Sequence, residues 1–317
     1  MKYRVLLIIA VALFISLPSC KKAATKAVSK TGKEVSEEVV EKAGRKVAKE
    51  LLEEGVEKTG KKFVFKKASK EAAKKVLKGD DAIKYLSKCH PDVAKLISKM
   101  EKHLGDPKYA NHAFNKNNYS VALLEDGSTR LTAIGSESSS IVMKGNSIIC
   151  ESGGFVSKNG SPLNQFLNYP LPNKKYKVNG CIEYRTDKFG RVVNASADRT
   201  KLYKSSKKIN AQRDSYTQRQ VVESLGGKRG VDDGGHLFSN SVNGPNNLIN
   251  QVPMNSQIQR SGGAWREFEK MEEEAIKAGK NVVSERKLLY KGDSKRPYAI
   301  EAKCVIDGKV VKKLIEI

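Results

Sequence analysis

Val231-Asp-Asp-Gly-Gly-His-Leu-Phe238, then Asn246-Asn-Leu-Ile-Asn-Gln-Val-Pro-Met254, then Ala264-Trp-Arg-Glu-Phe-Glu-Lys-Met-Glu-Glu-Glu-Ala-Ile-Lys-Ala278 is the stretch whose pattern decides the fold. The first segment reads as a strand that ends in a histidine. The second reads as a strand with loop residues at both ends, and the third as a helix preceded by Ser261-Gly-Gly263 and stopped by Gly279. Upstream, Gly180-Cys-Ile-Glu-Tyr-Arg-Thr-Asp187 and Arg191-Val-Val-Asn-Ala-Ser196 alternate around Lys188-Phe-Gly190, as a β-hairpin should. The region from Leu171 onward carries 29 basic and 17 acidic side chains. That is enough chain for an independent domain with an electropositive groove.

Strand, histidine, loop, strand and helix in this order suit hydrolysis of a phosphodiester with the help of one hard cation. Such chemistry needs a base near neutral pKa, an oxygen-ligated metal and cationic side chains to hold phosphate. His236 is the only histidine of this region, and Gly234 and Gly235 let backbone or substrate approach it closely. A carbonyl or carboxylate on Nδ1 would set its tautomer and leave Nε2 to take the proton of water. Gln259 offers an amide oxygen before the helix, and Glu269 follows Trp265 by four residues, on the same helical face. Magnesium, which keeps several waters and takes few protein oxygens, suits so sparse a site, with manganese as the alternative cation. Trp265 is assigned to the core, where a lone large aromatic usually sits.

Asp233-Gly-Gly-His236, Asn250-Gln-Val-Pro253, Gly263-Ala-Trp265 and Glu269 together resemble the DNA/RNA non-specific endonucleases of the ββα-metal, or His-Me finger, superfamily. Tyr290-Lys-Gly-Asp-Ser-Lys-Arg-Pro297 and Val305-Ile-Asp-Gly308 resemble its bacterial, toxin-type branch. The resemblance covers residues 176–317 and implies an α+β fold in which a ββα-metal nuclease domain is built on an antiparallel sheet. It implies His236 as general base, Asp233 and Gly235 as parts of the DxGH signature, and Glu269 as the acidic residue near the hydrated metal. The family's metal-binding Asn falls at Gln259, which keeps the amide oxygen but adds a methylene; Asn250 and Asn255 are the alternative ligands. The family's phosphate-binding arginine has three candidates here, Arg191, Arg185 and Arg229. DNA and RNA are the implied substrates, 5′-phosphates the implied products, and an immunity or inhibitor protein a further implied partner.

The remaining chain sets the compartment. Lys2 and Arg4, an apolar run from Val5 to Leu17, and Leu17-Pro-Ser-Cys20 read as an export signal over residues 1–19. Its close resembles the lipobox of bacterial lipoproteins, which implies lipidation of Cys20 and attachment to a membrane. Lys21 and Lys22 carry no acidic retention signal, so the outer membrane is expected, facing either the periplasm or the outside. Residues 20–80 read as a basic helical spacer rather than a helix lying on headgroups, because Glu37, Glu38, Glu53 and Glu54 oppose binding to an anionic surface. Residues 81–103 read as a short helical stretch, 104–160 as a small β-rich module and 161–175 as a Pro-bearing linker. His90, His103 and His112 lie in no ligand spacing and are read as surface or packed residues. Cys89, Cys150, Cys181 and Cys304 permit up to two disulfides, with three connectivities open.

The formal charge of +24 disfavours an ordinary cytosolic metabolic enzyme and points to polyanionic partners. Two functions follow. One is a lipid-anchored, metal-dependent nuclease. The other is a lipoprotein that keeps the fold, has lost activity through Gln259, and binds nucleic acid or a protein by its basic surface.

Overall fold

In a computed structural model of the chain, residues 73–104, 119–133, 136–153, 164–205 and 215–317 are described. The export signal, Cys20, nearly all of the spacer, and His112 lie outside them.

Thirteen strands are described: β1 (Ala73–Lys78), β2 (Tyr119–Leu124), β3 (Thr129–Ala133), β4 (Ser136–Lys144), β5 (Ser147–Cys150), β6 (Lys175–Val178), β7 (Ile182–Thr186), β8 (Val192–Asp198), β9 (Asp232–His236), β10 (Gln251–Asn255), β11 (Val282–Leu289), β12 (Ala299–Ile306) and β13 (Lys309–Glu316). The helices are α1 (Gly79–Cys89), α2 (Pro91–Leu104), α3 (Arg199–Ser205), α4 (Ser215–Ser224), α5 (Ser256–Gln259) and α6 (Ala264–Lys277). Eleven strands form one sheet in the order β1-β2-β3-β4-β5-β6-β7-β8-β11-β12-β13, and β9 and β10 form a separate ribbon. All neighbours in the sheet are antiparallel except β5 and β6, which run parallel. The architecture is α+β with a large, predominantly antiparallel sheet.

Period-two alternation explains why these segments are strands. In β7, Ile182, Tyr184 and Thr186 are buried while the residues between them are not, and β11 repeats the pattern over its whole length. The ribbon and α6 cover the inner face. Trp265 and Phe268 stack with ring centroids 6.5 Å apart, and Trp265 is fully buried, as its assignment to the core requires. Gly279, at φ +80°, ends α6 in a conformation that glycine adopts without strain.

Three boundaries read from the sequence change. Residues 73–78, at the end of the expected helical spacer, pair with β2 as an edge strand, because ladder hydrogen bonds override the helical preference of an Ala- and Lys-rich segment. The stretch 104–160 does not stand apart as a module. Its β5 pairs with β6, and Tyr119, Val121, Leu131, Ile141 and Ile148 join one core with Tyr176, Tyr184, Phe238 and Trp265. The 161–175 segment is likewise packed rather than extended, since Phe166, Leu167 and Leu171 are buried in that core. Asn164 fixes its start by accepting from Phe166 N and donating to Ser140 O and Glu151 O. The four described cysteines are all unpaired thiols.

Candidate active site

β9 carries His236 at its last position, and the ladder sets His236 opposite Gln251, the first residue of β10. The two glycines before it are required by space. A Cβ on Gly234 would lie 2.6 Å from Gln218 O of α4, and one on Gly235 would lie 2.4 Å from Met254 Sδ of β10. The ribbon is thus pressed against a helix backbone on one side and a core methionine on the other.

His236 is buried, and its Nε2 lies 3.2 Å from Asn246 Oδ1. Asn246 Oδ1 also accepts from Asn240 Nδ2 at 3.0 Å, and Asn240 Nδ2 donates to Gly244 O at 3.1 Å. The ring nitrogen facing an acceptor is therefore Nε2, not the Nδ1 expected from sequence. With hydrogen on Nε2, the basic lone pair of the neutral ring is on Nδ1. This reverses the expected division of labour between the two nitrogens.

α6 is docked onto the segment that follows His236. Ser239 Oγ donates to Glu273 Oε1 at 2.5 Å, and Arg266 Nη1 donates to the same oxygen at 2.9 Å. Arg286, fully buried on β11, donates from Nε to Leu237 O at 3.1 Å and from Nη2 to Glu272 Oε2 at 2.6 Å. Glu269 shares the buried face with Trp265, as their four-residue spacing requires, and lies 3.5 Å from Arg266 Nη1. Burial, and then the charge of Glu273, push the Glu269 carboxyl up to about 7. Burial would raise Glu273 too, but hydrogen bonds from Arg266, Ser239 and Ser241 outweigh it and hold that carboxyl near 2. Two neighbouring carboxylates are thereby driven apart in acidity, a feature common at reactive sites.

The other candidates separate clearly. Gln259 donates from Nε2 to Gly234 O at 3.1 Å, two residues before the histidine, which leaves its Oε1 as the ligating atom. Asn250 is fully committed: its Oδ1 accepts from Tyr184 Oη and Phe238 N, and its Nδ2 donates to Phe238 O and Pro245 O. With its amide saturated at full burial, Asn250 is a structural staple and not a metal ligand. Asn255 caps α5 by accepting from Gln257 N. Asp233 lies on the opposite face of β9 from His236 in the strand alternation and pairs with exposed Arg260 at 3.3 Å, so the geometry does not place it beside the base.

None of the three arginine candidates is set beside His236. Arg191 is saturated by Asp187 at 2.6 and 2.7 Å and by Gly292 O and Ser294 O, and its guanidinium lies between the rings of Phe189 and Tyr290. It clamps a hairpin tip to a loop. Arg185 lies on the outer face of β7, the reverse of Tyr184, which reaches Asn250. Arg229 sits in an exposed turn with Glu223. The cation close to the DxGH strand is Arg260, which sequence reasoning missed because its pairing across to Asp233 has no sequence signal. Asn240 and Asn246 were missed for a related reason: in an Asn-rich loop, nothing local tells a buried asparagine from an exposed one.

Among the described residues no group of three or more His, Cys, Asp or Glu side chains is assembled to cage a metal. The donor chemistry that remains is an amide oxygen on Gln259 and the desolvated carboxylate of Glu269. This set fits a hydrated hard cation, which takes few protein oxygens and offsets buried negative charge.

Residues 172–308 match the DNA/RNA non-specific endonuclease family, so this part of the chain is a nuclease domain of the hydrolase class. Among solved structures, the chain is similar to NucA from Streptococcus agalactiae with no metal bound, at 20% identity, 49% coverage of this chain, 77% of that chain and a TM-score of 0.31. It is also similar to NucA from the same organism with magnesium ion bound, at 17% identity, 49% and 78% coverage and a TM-score of 0.35.

Proposed function

We propose that the protein is a metal-dependent endonuclease that hydrolyses phosphodiester bonds of DNA and RNA without sequence preference, held at a membrane by a lipid on Cys20. The observation that carries the reading is the position of His236. It stands at the end of β9 within a family-matched ββα arrangement, with Nε2 held by Asn246 and the lone pair on Nδ1. Nδ1 takes the proton of the attacking water, a step that contributes typically about 100- to 10,000-fold. Gln259 Oε1 and Glu269 would hold a hydrated magnesium ion, with manganese as a substitute. Bound there, the cation supplies Lewis-acid stabilisation of the charge that develops on the phosphate. Arg260 and the surrounding basic surface hold the substrate backbone electrostatically.

Export and attachment to the outer membrane belong to the same proposal and rest on the sequence of residues 1–22. Among the described residues no helix is long and apolar enough to cross a membrane. Metabolic labelling with a radiolabelled fatty acid, comparing the natural chain with Cys20→Ser, tests the anchor; label retained by the variant would refute it. The nuclease is tested by incubating the purified full chain with plasmid DNA and structured RNA, with magnesium and with EDTA. Cleavage of both substrates only with magnesium is expected. Salt-sensitive retention of DNA without cutting would instead identify a binding protein.

A further inference from the structure

We infer that Asn246 is a positioning residue that fixes the tautomer of His236, keeping hydrogen on Nε2 so that Nδ1 is the proton-accepting nitrogen. Its catalytic meaning rests on the nuclease reading, while the tautomer itself is observable without substrate.

The assignment follows from a chain of donors and acceptors with one free end. Gly244 O is a backbone carbonyl and only accepts, so the group of Asn240 that faces it at 3.1 Å is the amide nitrogen. The same nitrogen reaches Asn246 at 3.0 Å, which obliges Asn246 to present its oxygen. That oxygen lies 3.2 Å from His236 Nε2, which must therefore donate. Turning either amide over would set two donors face to face in a buried site.

The start and the end of this relay are both held by packing. A Cβ on Gly244 would lie 1.8 Å from Phe238 O, so only glycine lets its carbonyl stand where Asn240 needs it. The main chain of Asn246 is gripped by Gln251, whose Nε2 donates to Asn246 O at 2.6 Å, and Gln251 is the ladder partner of His236. The strand pair that carries the base thus also holds the residue that orients it. An amide suits the role better than a carboxylate, since a negative charge at the same place would favour the imidazolium, which cannot act as a base.

The test uses the full chain with histidine labelled by nitrogen-15. Its 4 histidines give few ring signals, and His236→Gln identifies the one that matters. In EDTA above neutral pH, the expected spectrum has His236 protonated at Nε2 and bare at Nδ1. Asn246→Ala is expected to admit the other tautomer and to slow plasmid cleavage by about 10- to 100-fold, with DNA retention unchanged. Asn246→Asp keeps the acceptor, so it should retain cutting and move the acid limb of the pH–rate profile to higher pH. A wild-type spectrum with hydrogen on Nδ1 would overturn the inference. So would an Asn246→Ala protein unchanged in both spectrum and rate. Should that variant not fold, the wild-type spectrum and the Asn246→Asp profile decide. Hydrogen on Nε2 in a protein that cuts nothing would uphold the tautomer assignment and refute the nuclease reading.

Discussion

Burial and Glu273 raise the Glu269 carboxyl from its model value of 4.5 to about 7, so the fold favours its protonated form. A group with a raised folded pKa contributes stability that is full below the unfolded value and lost as pH rises through the folded one. The metal-free protein should therefore lose stability between about pH 4.5 and 7 through this residue. Glu269→Gln should flatten that slope and gain about 1–3 kcal/mol at pH 8 in EDTA, read by urea unfolding. The same variant should lose magnesium-dependent cutting. A steeper pH slope in the variant would show that the carboxyl is not desolvated as described. At this scale the chemistry-bearing residues were legible in the sequence: His236 from its place after two glycines, and Glu269 from its spacing to Trp265. The base nitrogen was not legible, because a tautomer is set by the neighbour on the far side of the ring, and Asn246 is fixed by burial and not by spacing.

Elements are held to one another by buried ions as well as by apolar contact. Arg286 joins β11 to the residue after His236 and to Glu272 of α6, and Ser284 Oγ adds a 2.7 Å bond to the same carboxylate. Arg286→Met leaves Glu272 charged and unpaired at full burial. It should cost about 3–5 kcal/mol in urea unfolding, the usual penalty for removing one partner of a buried pair. A loss below about 1 kcal/mol, the scale of an exposed pair, would mean that water reaches the site. Arg191→Ala probes a clamp of another kind. It should cost about 1–3 kcal/mol by releasing the β7–β8 hairpin tip from the 290–296 loop, while kcat with saturating magnesium stays the same. A selective loss of kcat at unchanged stability would return Arg191 to the phosphate site. The strand, strand and helix around His236 were readable because hydrophobic period, Gly-rich turns and a helix stop all agree there. The change of β1 from helix to strand was not readable. Its Ala-Lys-Lys-Val-Leu-Lys sequence has weak preferences, and pairing with β2 decides its state.

Across the whole molecule, the sheet continues from β1 to β13 without a break between the region ahead of the nuclease match and the match itself. A domain boundary was expected near residue 170 because proline and glycine cluster there. Phe166, Leu167 and Leu171 instead carry the core across it, and such long-range packing leaves no local pattern to read. The formal charge of +24 governs how the molecule meets a polyanion. Binding that depends on phosphate contacts releases counterions, so cleavage should fall by about a thousandfold or more between 50 and 200 mM salt if six or more phosphates are engaged. Equal rates across that range would exclude an electrostatic hold on the backbone.

The most direct measurement compares the full chain and its His236→Ala variant on plasmid DNA and on structured RNA, each with magnesium and with EDTA. The account predicts that the natural chain cuts both substrates only when magnesium is present, and that the variant keeps its salt-sensitive grip on DNA but cuts neither. Cutting that survives the loss of His236, or that EDTA leaves untouched, would contradict it.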